Sequence, residues 1–147
     1  MMGAVANGVL EGGGRVTGVI PAFLNTRELK HAGVEDMRVV ETMHERKMIM
    51  VTESEGFIAL PGGFGTLDEL FEALTWSQLA IHDQPVGILN VDGFFDGMLA
   101  TLDAMVERGF LRQEDRDRVV SADAAEPLLR AMGEWNTPGT LEFTPAR

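Results

Sequence analysis

The chain has 147 residues, with 12 basic against 23 acidic side chains and a formal net charge of −11. That length fits one domain able to bury roughly 68–70% of the surface its unfolded form exposes, and the absence of cysteine excludes disulfides as a staple. With 45% hydrophobic and 24% charged residues, no apolar run near the roughly 20 residues of a spanning helix, and no clustered Lys and Arg to neutralise phosphates, the chain reads as globular, not membrane-spanning and not nucleic-acid-binding.

Short β-branched runs alternate with amphipathic stretches, the pattern of a parallel sheet covered by helices on both faces. Residues 3–11 form a helix, and Gly12-Gly13-Gly14 ends it. Residues 16–20 make a strand closed by Pro21, and 36–40 a weaker one, followed by a helix over 42–54. The third strand is 56–60, broken sharply by Pro61-Gly62-Gly63-Phe64-Gly65. From Thr66 a helical period sets Leu67, Leu70, Phe71, Leu74 and Leu79 near one face. Residues 86–91 are a near-continuous apolar strand, as in a sheet covered on both sides, and Asn90 to Gly93 are a turn. A helix over 94–108 stops at Gly109. Residues 112–118 mix both signs of charge, as on a solvated helix face. A last strand over 118–121 and a helix over 124–132 complete one domain, 1–133, and 134–147 form a loosely ordered tail.

The opening is unusual. Gly3, Ala4 and Ala6 are small residues that let a helix lie close against a strand and loop, yet no strand precedes them here. A chain opening inside such a unit lacks a leading strand, helix and strand, roughly 30 or more residues. Its first residues carry neither a basic stretch nor a signal-peptide core, and the chain reads as cytoplasmic.

The strongest local signal is Leu60-Pro61-Gly62-Gly63-Phe64-Gly65-Thr66-Leu67-Asp68-Glu69, a strand end, a glycine-rich turn and a helix start. Glycines let an anion approach the main chain, and the free N–H groups of a helix N-terminus favour a phosphate. Ligands of open α/β sheets also bind outside the carboxyl ends of the strands. The alternative is local: Thr66 and Glu69, three apart, form a capping box and the glycines merely reverse the chain. Under the first reading a carboxylate at Glu69 would repel a phosphate placed on it. Glu69 then faces an electron-poor neighbour, such as the sugar carbon of a nucleotide as its bond to the base breaks.

A second constellation, Thr42-Met43-His44-Glu45-Arg46-Lys47-Met48, opens a helix with another Thr-x-x-Glu box and carries an adjacent Arg-Lys pair. These cations are either solvated and paired with Glu45 or Glu53, or reach the glycine-loop crevice, where Arg46 can hold a phosphate or ribose oxygen bidentately or orient Glu69. His44 and His82 have no ligand-spaced partner, so no metal site is expected, and His31 reads as a surface residue. Met37, Met43, Met48 and Met50 read first as gap-filling core, and otherwise as an apolar lining for a flat base.

Met43-His44-Glu45-Arg46-Lys47 followed by Pro61-Gly62-Gly63-Phe64-Gly65-Thr66-Leu67-Asp68-Glu69, a PGGxGTxxE motif, resembles the paired signature of the LONELY GUY family, the cytokinin riboside 5′-monophosphate phosphoribohydrolases. Residues 75–93 are similar to the family too, and the resemblance runs over about 3–132. It implies a Rossmann-like, doubly wound fold and hydrolysis of the N-glycosidic bond of an adenine-type nucleoside 5′-monophosphate to free base and ribose 5-phosphate. On the same resemblance Arg46 and Glu69 match the catalytic pair, and Gly62, Gly63, Phe64, Gly65, Thr66 and Leu67 the phosphate loop and its surroundings. Glu28, Lys47, Asp68 and Thr75 fall at nucleotide contacts. The family implies a homodimer with its site near the subunit contact, and no cofactor.

The departure from the family is at the front, where a strand, a helix and a second strand with a glycine turn would floor the pocket. A start placed too late on a longer gene is the favoured account over a genuine fragment, because a sheet stripped of two strands exposes edges. Two other readings compete. One is a nucleotide- or cofactor-binding module without turnover. The other, a lysine decarboxylase, is disfavoured because that chemistry needs a pyridoxal phosphate bound to lysine and the chain has only Lys30 and Lys47.

Overall fold

In a computed structural model of the chain, residues 1–25 and 31–136 are described. The chain divides into two compact units, Met1–Glu53 and Ser54 onward. Both are α/β, with parallel strands flanked by helices in a Rossmann-like manner. Among the described residues no helix is long and apolar enough to cross a membrane.

The first unit contains α1 (Met2–Glu11), β1 (Thr17–Pro21), β2 (Asp36–Val40) and α2 (Met43–Glu53). Helix α1 ends as the glycine run requires. Gly13 adopts φ +76°, its N–H reaches Leu10 O, and the Gly14 N–H reaches Val9 O at 2.8 Å, a Schellman closure. Strands β1 and β2 pair in parallel from Thr17 opposite Asp36 to Pro21 opposite Val40. Strand β1 therefore runs one residue past its expected end and takes in Pro21, which lacks an N–H but sits at a strand end where none is needed. A Cβ on Gly18 would lie 2.6 Å from Met37 Sδ, so this glycine lets Met37 cross β1. Met37, Met43, Met48 and Met50 are half-buried, and the buried apolar side chains among the described residues of this unit are Ala6, Pro21, Val34 and Val51. His31 lies half-buried at the surface, held by hydrogen bonds. Its Nδ1 accepts the Gly33 N–H and its Nε2 donates to Asn7 Oδ1 at 3.0 Å, tying α1 to the segment before β2.

The second unit contains β3 (Phe57–Ala59), α3 (Phe64–Gln78), β4 (Val86–Leu89), α4 (Asp96–Glu107), α5 (Gln113–Arg116), β5 (Val119–Ala122) and α6 (Ala125–Gly133). The strands pair in parallel in the order β3-β4-β5. Alternation along β4 sorts the helices. Val86 and Ile88 point into a core with Ala59, Leu70, Ala73, Phe95 and Leu102, drawn from α3, α4 and their surroundings. Gly87 points the other way, under Leu128 and Met132 of α6. Helices thus cover both faces of this sheet. Val86 at 1% and Ile88 at 0% exposure carry the burial that explains the apolar run, each worth about 1.5–3 kcal/mol. Helix α4 stops at Gly109, φ +75°, with the Phe110 N–H on Met105 O.

Three expectations need correction here. Phe71 and Leu79 are 40% and 46% exposed, so only Leu67, Leu70 and Leu74 of the proposed apolar stripe serve the core. Helix α3 winds back to Phe64 rather than starting at Thr66. The 112–118 run is a solvated face only in part: Arg112, Gln113, Glu114 and Asp117 are exposed, but Asp115 is 6% and Arg118 1% exposed. Arg118 donates to Asp115 Oδ1 at 3.2 Å and to Ser77 O and Oγ at 3.1 and 3.0 Å, while Arg112 and Gln78 donate to Asp115 at 2.7 and 2.8 Å. Mixed charge reads as solvated only when its partners are unknown. Here Asp115, within α5, and Arg118, just after it, turn inward onto Gln78 and Ser77 at the C-terminal end of α3.

Candidate functional site

Strand β3 ends at Ala59 and α3 begins at Phe64, so residues 60–63 form the turn that carries the glycines. Gly63 is the residue at the cap, with extended backbone, and among the described residues no side chain caps α3. The Thr66/Glu69 capping box, the local alternative to anion binding, is therefore not formed at the start of α3. Thr66 lies three residues inside the helix, too late to cap it, and the first turn of α3 opens with glycine-flanked peptide N–H groups. Each glycine has its own reason. A Cβ on Gly62 would come within 2.2 Å of Thr66 Oγ1, so Gly62 lets the turn fold down on Thr66. A Cβ on Gly63 or Gly65 would meet nothing within 4 Å, and neither has a positive φ. Packing within the chain does not demand glycine at those two positions, and their backbone is open to an approaching group. Phe64, between them, is 94% exposed.

Beyond the turn, α3 presents a shallow open hollow of about 430 Å³ lined by Leu67, Asp68, Phe71, Glu72, Thr75 and Trp76. Three predicted residues, Leu67, Asp68 and Thr75, share this surface. The Thr75 hydroxyl donates to Phe71 O at 2.7 Å, which leaves its lone pairs facing outward as acceptors. Phe71, Glu72 and Trp76 are not among the site residues expected from the sequence. Their spacing of three, four and eight from Asp68 was the signal that could have found them. Glu69 is half-buried on α3.

Arg46 and Lys47 lie on α2 in the first unit, both half-buried. Here the expected capping box is realised. Thr42 Oγ1 accepts the Glu45 N–H at 3.1 Å, and Glu45 Oε2 accepts the N–H groups of Glu41 at 2.8 Å and Thr42 at 3.3 Å. The Arg46 N–H then makes the first helical bond, to Thr42 O at 3.2 Å. Glu28 lies outside the described residues.

His82 is 8% exposed, its ring 5.2 Å from that of Phe57, and Nε2 donates to Ala73 O at 2.8 Å. Burial lowers its pKa, against the opposing effect of the Ala73 hydrogen bond. Asp115 shows the reverse competition. Burial alone would raise its pKa, but the hydrogen bonds from Arg112, Gln78 and Arg118 prevail and hold it below the ordinary carboxylate value. Among the described residues no group of three or more His, Asp or Glu side chains is placed to hold a metal ion.

A family described as "possible lysine decarboxylase" matches residues 2–132 of this chain. The probable cytokinin riboside 5′-monophosphate phosphoribohydrolase LOGL1 of Oryza sativa subsp. japonica is 50% identical over 135 residues, 92% of this chain and 60% of that relative. The cytokinin riboside 5′-monophosphate phosphoribohydrolase LOG3 of Arabidopsis thaliana is 47% identical over 135 residues, 92% of this chain and 63% of its own length. The chain thus spans about three-fifths of the length of these curated relatives. A match that takes in β1 through α6, with both motif segments inside it, has one consequence: the chain belongs to the LONELY GUY (LOG) family.

Proposed function

We propose that this chain carries the nucleotide-handling part of a phosphoribohydrolase that cleaves an adenine-type nucleoside 5′-monophosphate at its N-glycosidic bond. Water adds at the sugar carbon, the bond to the base breaks with a proton passing to the base, and the products are free base and ribose 5-phosphate. The observation that carries the reading is the β3–α3 turn. Gly63 and Gly65 leave the peptide groups at the N-terminus of a 15-residue helix open, where N–H donors and the helix dipole favour a phosphate. In this reading Gly62 and Thr66 hold the turn, Phe64 and Leu67 border it, and Asp68 and Thr75 contact the nucleotide from the hollow on α3. Glu69 supplies the negative charge that stabilises an oxocarbenium-like transition state. Arg46 binds a phosphate or ribose oxygen bidentately, with Lys47 beside it, and Glu28 takes a further nucleotide contact. The relatives named for this activity support the chemistry. A decarboxylase is the poorer reading, because it requires a Schiff-base lysine and Lys47 is already assigned beside Arg46. The cytoplasm as location, one domain over residues 1–133, and a homodimer also belong to this proposal. Exposed Phe71 and Met105, on either side of an apolar groove of about 210 Å³ between α3 and α4, favour the dimer.

The test is chromatography of AMP and isopentenyladenosine monophosphate incubated with this chain, and with the chain extended at its N-terminus by the corresponding segment of LOG3. Free base is expected, with Glu69→Ala and Arg46→Ala each slowing release at least 100-fold. Binding of AMP by calorimetry without base release from either form would favour a binding module instead. No release and no binding would end the reading.

A further inference from the structure

We infer that Glu45 is a positioning residue for Arg46 and Lys47, an inference that rests on the nucleotide-binding reading of those two cations. The geometry is specific. One carboxylate oxygen takes both peptide N–H groups of the β2–α2 turn, at Glu41 and Thr42, while Thr42 Oγ1 takes the N–H of Glu45 itself. Strand β2 ends at Val40 and Arg46 is bonded through its N–H to Thr42 O, so five residues separate the strand from the last position fixed by this lock. The backbone from which Arg46 and Lys47 project therefore has no slack.

The electrostatics give the lock a second task. Arg46 and Lys47 stand at the fourth and fifth positions of α2 counted from the Thr42 cap, just past the first turn, where the positive end of the helix dipole still weakly opposes cations. Two basic residues in that place break the rule that puts acids first, and such breaches concentrate at working sites. Glu45, the acidic residue of the first turn, is the countercharge that lets the helix begin there. Removing it both unties two N–H groups and leaves a cation pair against the dipole, so the first turn frays and the two side chains lose their common origin.

The experiment measures AMP affinity by calorimetry for the full chain and for Glu45→Ala, Glu45→Gln, Arg46→Ala and Val51→Ala. Amide hydrogen exchange at residues 46 and 47 is followed in the same proteins. Glu45→Ala is expected to weaken AMP binding about tenfold and to speed exchange at both amides. Glu45→Gln keeps an acceptor for the turn but not the countercharge, and is expected to recover affinity and exchange partway from Glu45→Ala toward the parent. Val51, buried on the same helix, is the stability control: its replacement by Ala lowers the melting temperature but leaves affinity within about twofold. If Arg46→Ala abolishes binding while Glu45→Ala changes neither affinity nor exchange, positioning by Glu45 is wrong and the nucleotide reading stands. Equal losses in Glu45→Ala and Val51→Ala also overturn it, since stability alone then explains the effect. If the parent does not bind AMP, or Arg46→Ala leaves binding intact, the site reading fails and this inference with it.

Discussion

Replacing Asp115 by Ala removes a carboxylate that pairs with Arg118, whose side chain is 1% exposed against 3% for Asp115. The guanidinium would then remain buried with its hydrogen bonds to Ser77 O and Oγ but without the Asp115 carboxylate. Breaking such a buried pair typically costs 3–5 kcal/mol, because the abandoned charge keeps its desolvation penalty. Against a total stability of about 5–15 kcal/mol for a domain, that is a large fraction. Arg112 is different. Its side chain is 42% exposed and returns to water, so Arg112→Ala is expected to cost far less than Asp115→Ala, although it makes the shortest contact to Asp115. Adding Arg118→Met to Asp115→Ala removes the stranded charge, and the double variant should recover at least about 2 kcal/mol relative to Asp115→Ala. Urea unfolding followed by tryptophan fluorescence reads this directly, since Trp76 and Trp135 both lie in the second unit. The sign with pH follows from the lowered carboxyl. Folding favours the ionised form, so the stabilisation is present above the ordinary value of 3.8 and is lost as pH falls below it, a dependence that Asp115→Asn should flatten. A loss under about 1 kcal/mol in Asp115→Ala, or strict additivity in the double variant, would refute the network as a structural lock on α3.

Three further perturbations test local physics. Ala80 follows α3 with φ +57° and closes a Schellman motif, its own N–H on Ser77 O and the Ile81 N–H on Trp76 O. Ala80→Gly relieves a left-handed residue and should gain about 0.5–1 kcal/mol after the entropy of glycine is subtracted, read as a melting point higher by a few degrees. Gly87→Val should cost about 1–3 kcal/mol, because a Cβ there would stand 2.5 Å from Met132 Sδ and 3.2 Å from Leu128 Cδ1; combining it with Met132→Ala should return part of the loss in urea unfolding. His82, with Nδ1 buried and no partner for it among the described residues, resists protonation in the folded state. Stability should be level above about pH 6.5 and decline below it, and His82→Gln should remove that slope; parallel pH profiles for the two proteins would contradict the assignment.

The order of strands and helices was legible because each boundary is written in local chemistry. Gly13 and Gly109 occupy left-handed positions that few other residues accept, and Val86 to Leu89 are apolar on both faces because helices lie on both. The Thr42–Glu45 box was readable for the same reason, as all its partners lie within five residues. The identical pattern at Thr66 and Glu69 forms no cap, because a cap depends on where the chain leaves the strand. Gly63 allows α3 to wind one turn earlier, and the Thr-x-x-Glu signal carries no information about that exit. The Arg112–Arg118 segment failed more deeply, since the partner that buries Arg118 is Ser77, 41 residues away in sequence. Charge periodicity describes one segment at a time and is blind to such a partner. The two halves of the proposed site differ in the same way. The turn at Gly62 to Gly65 announces itself because glycine is costly unless a close approach requires it. The contribution of Glu45 is invisible in composition, and emerges only when the oxygen it points at the Glu41 and Thr42 amides is seen to precede two cations that the helix dipole would otherwise repel.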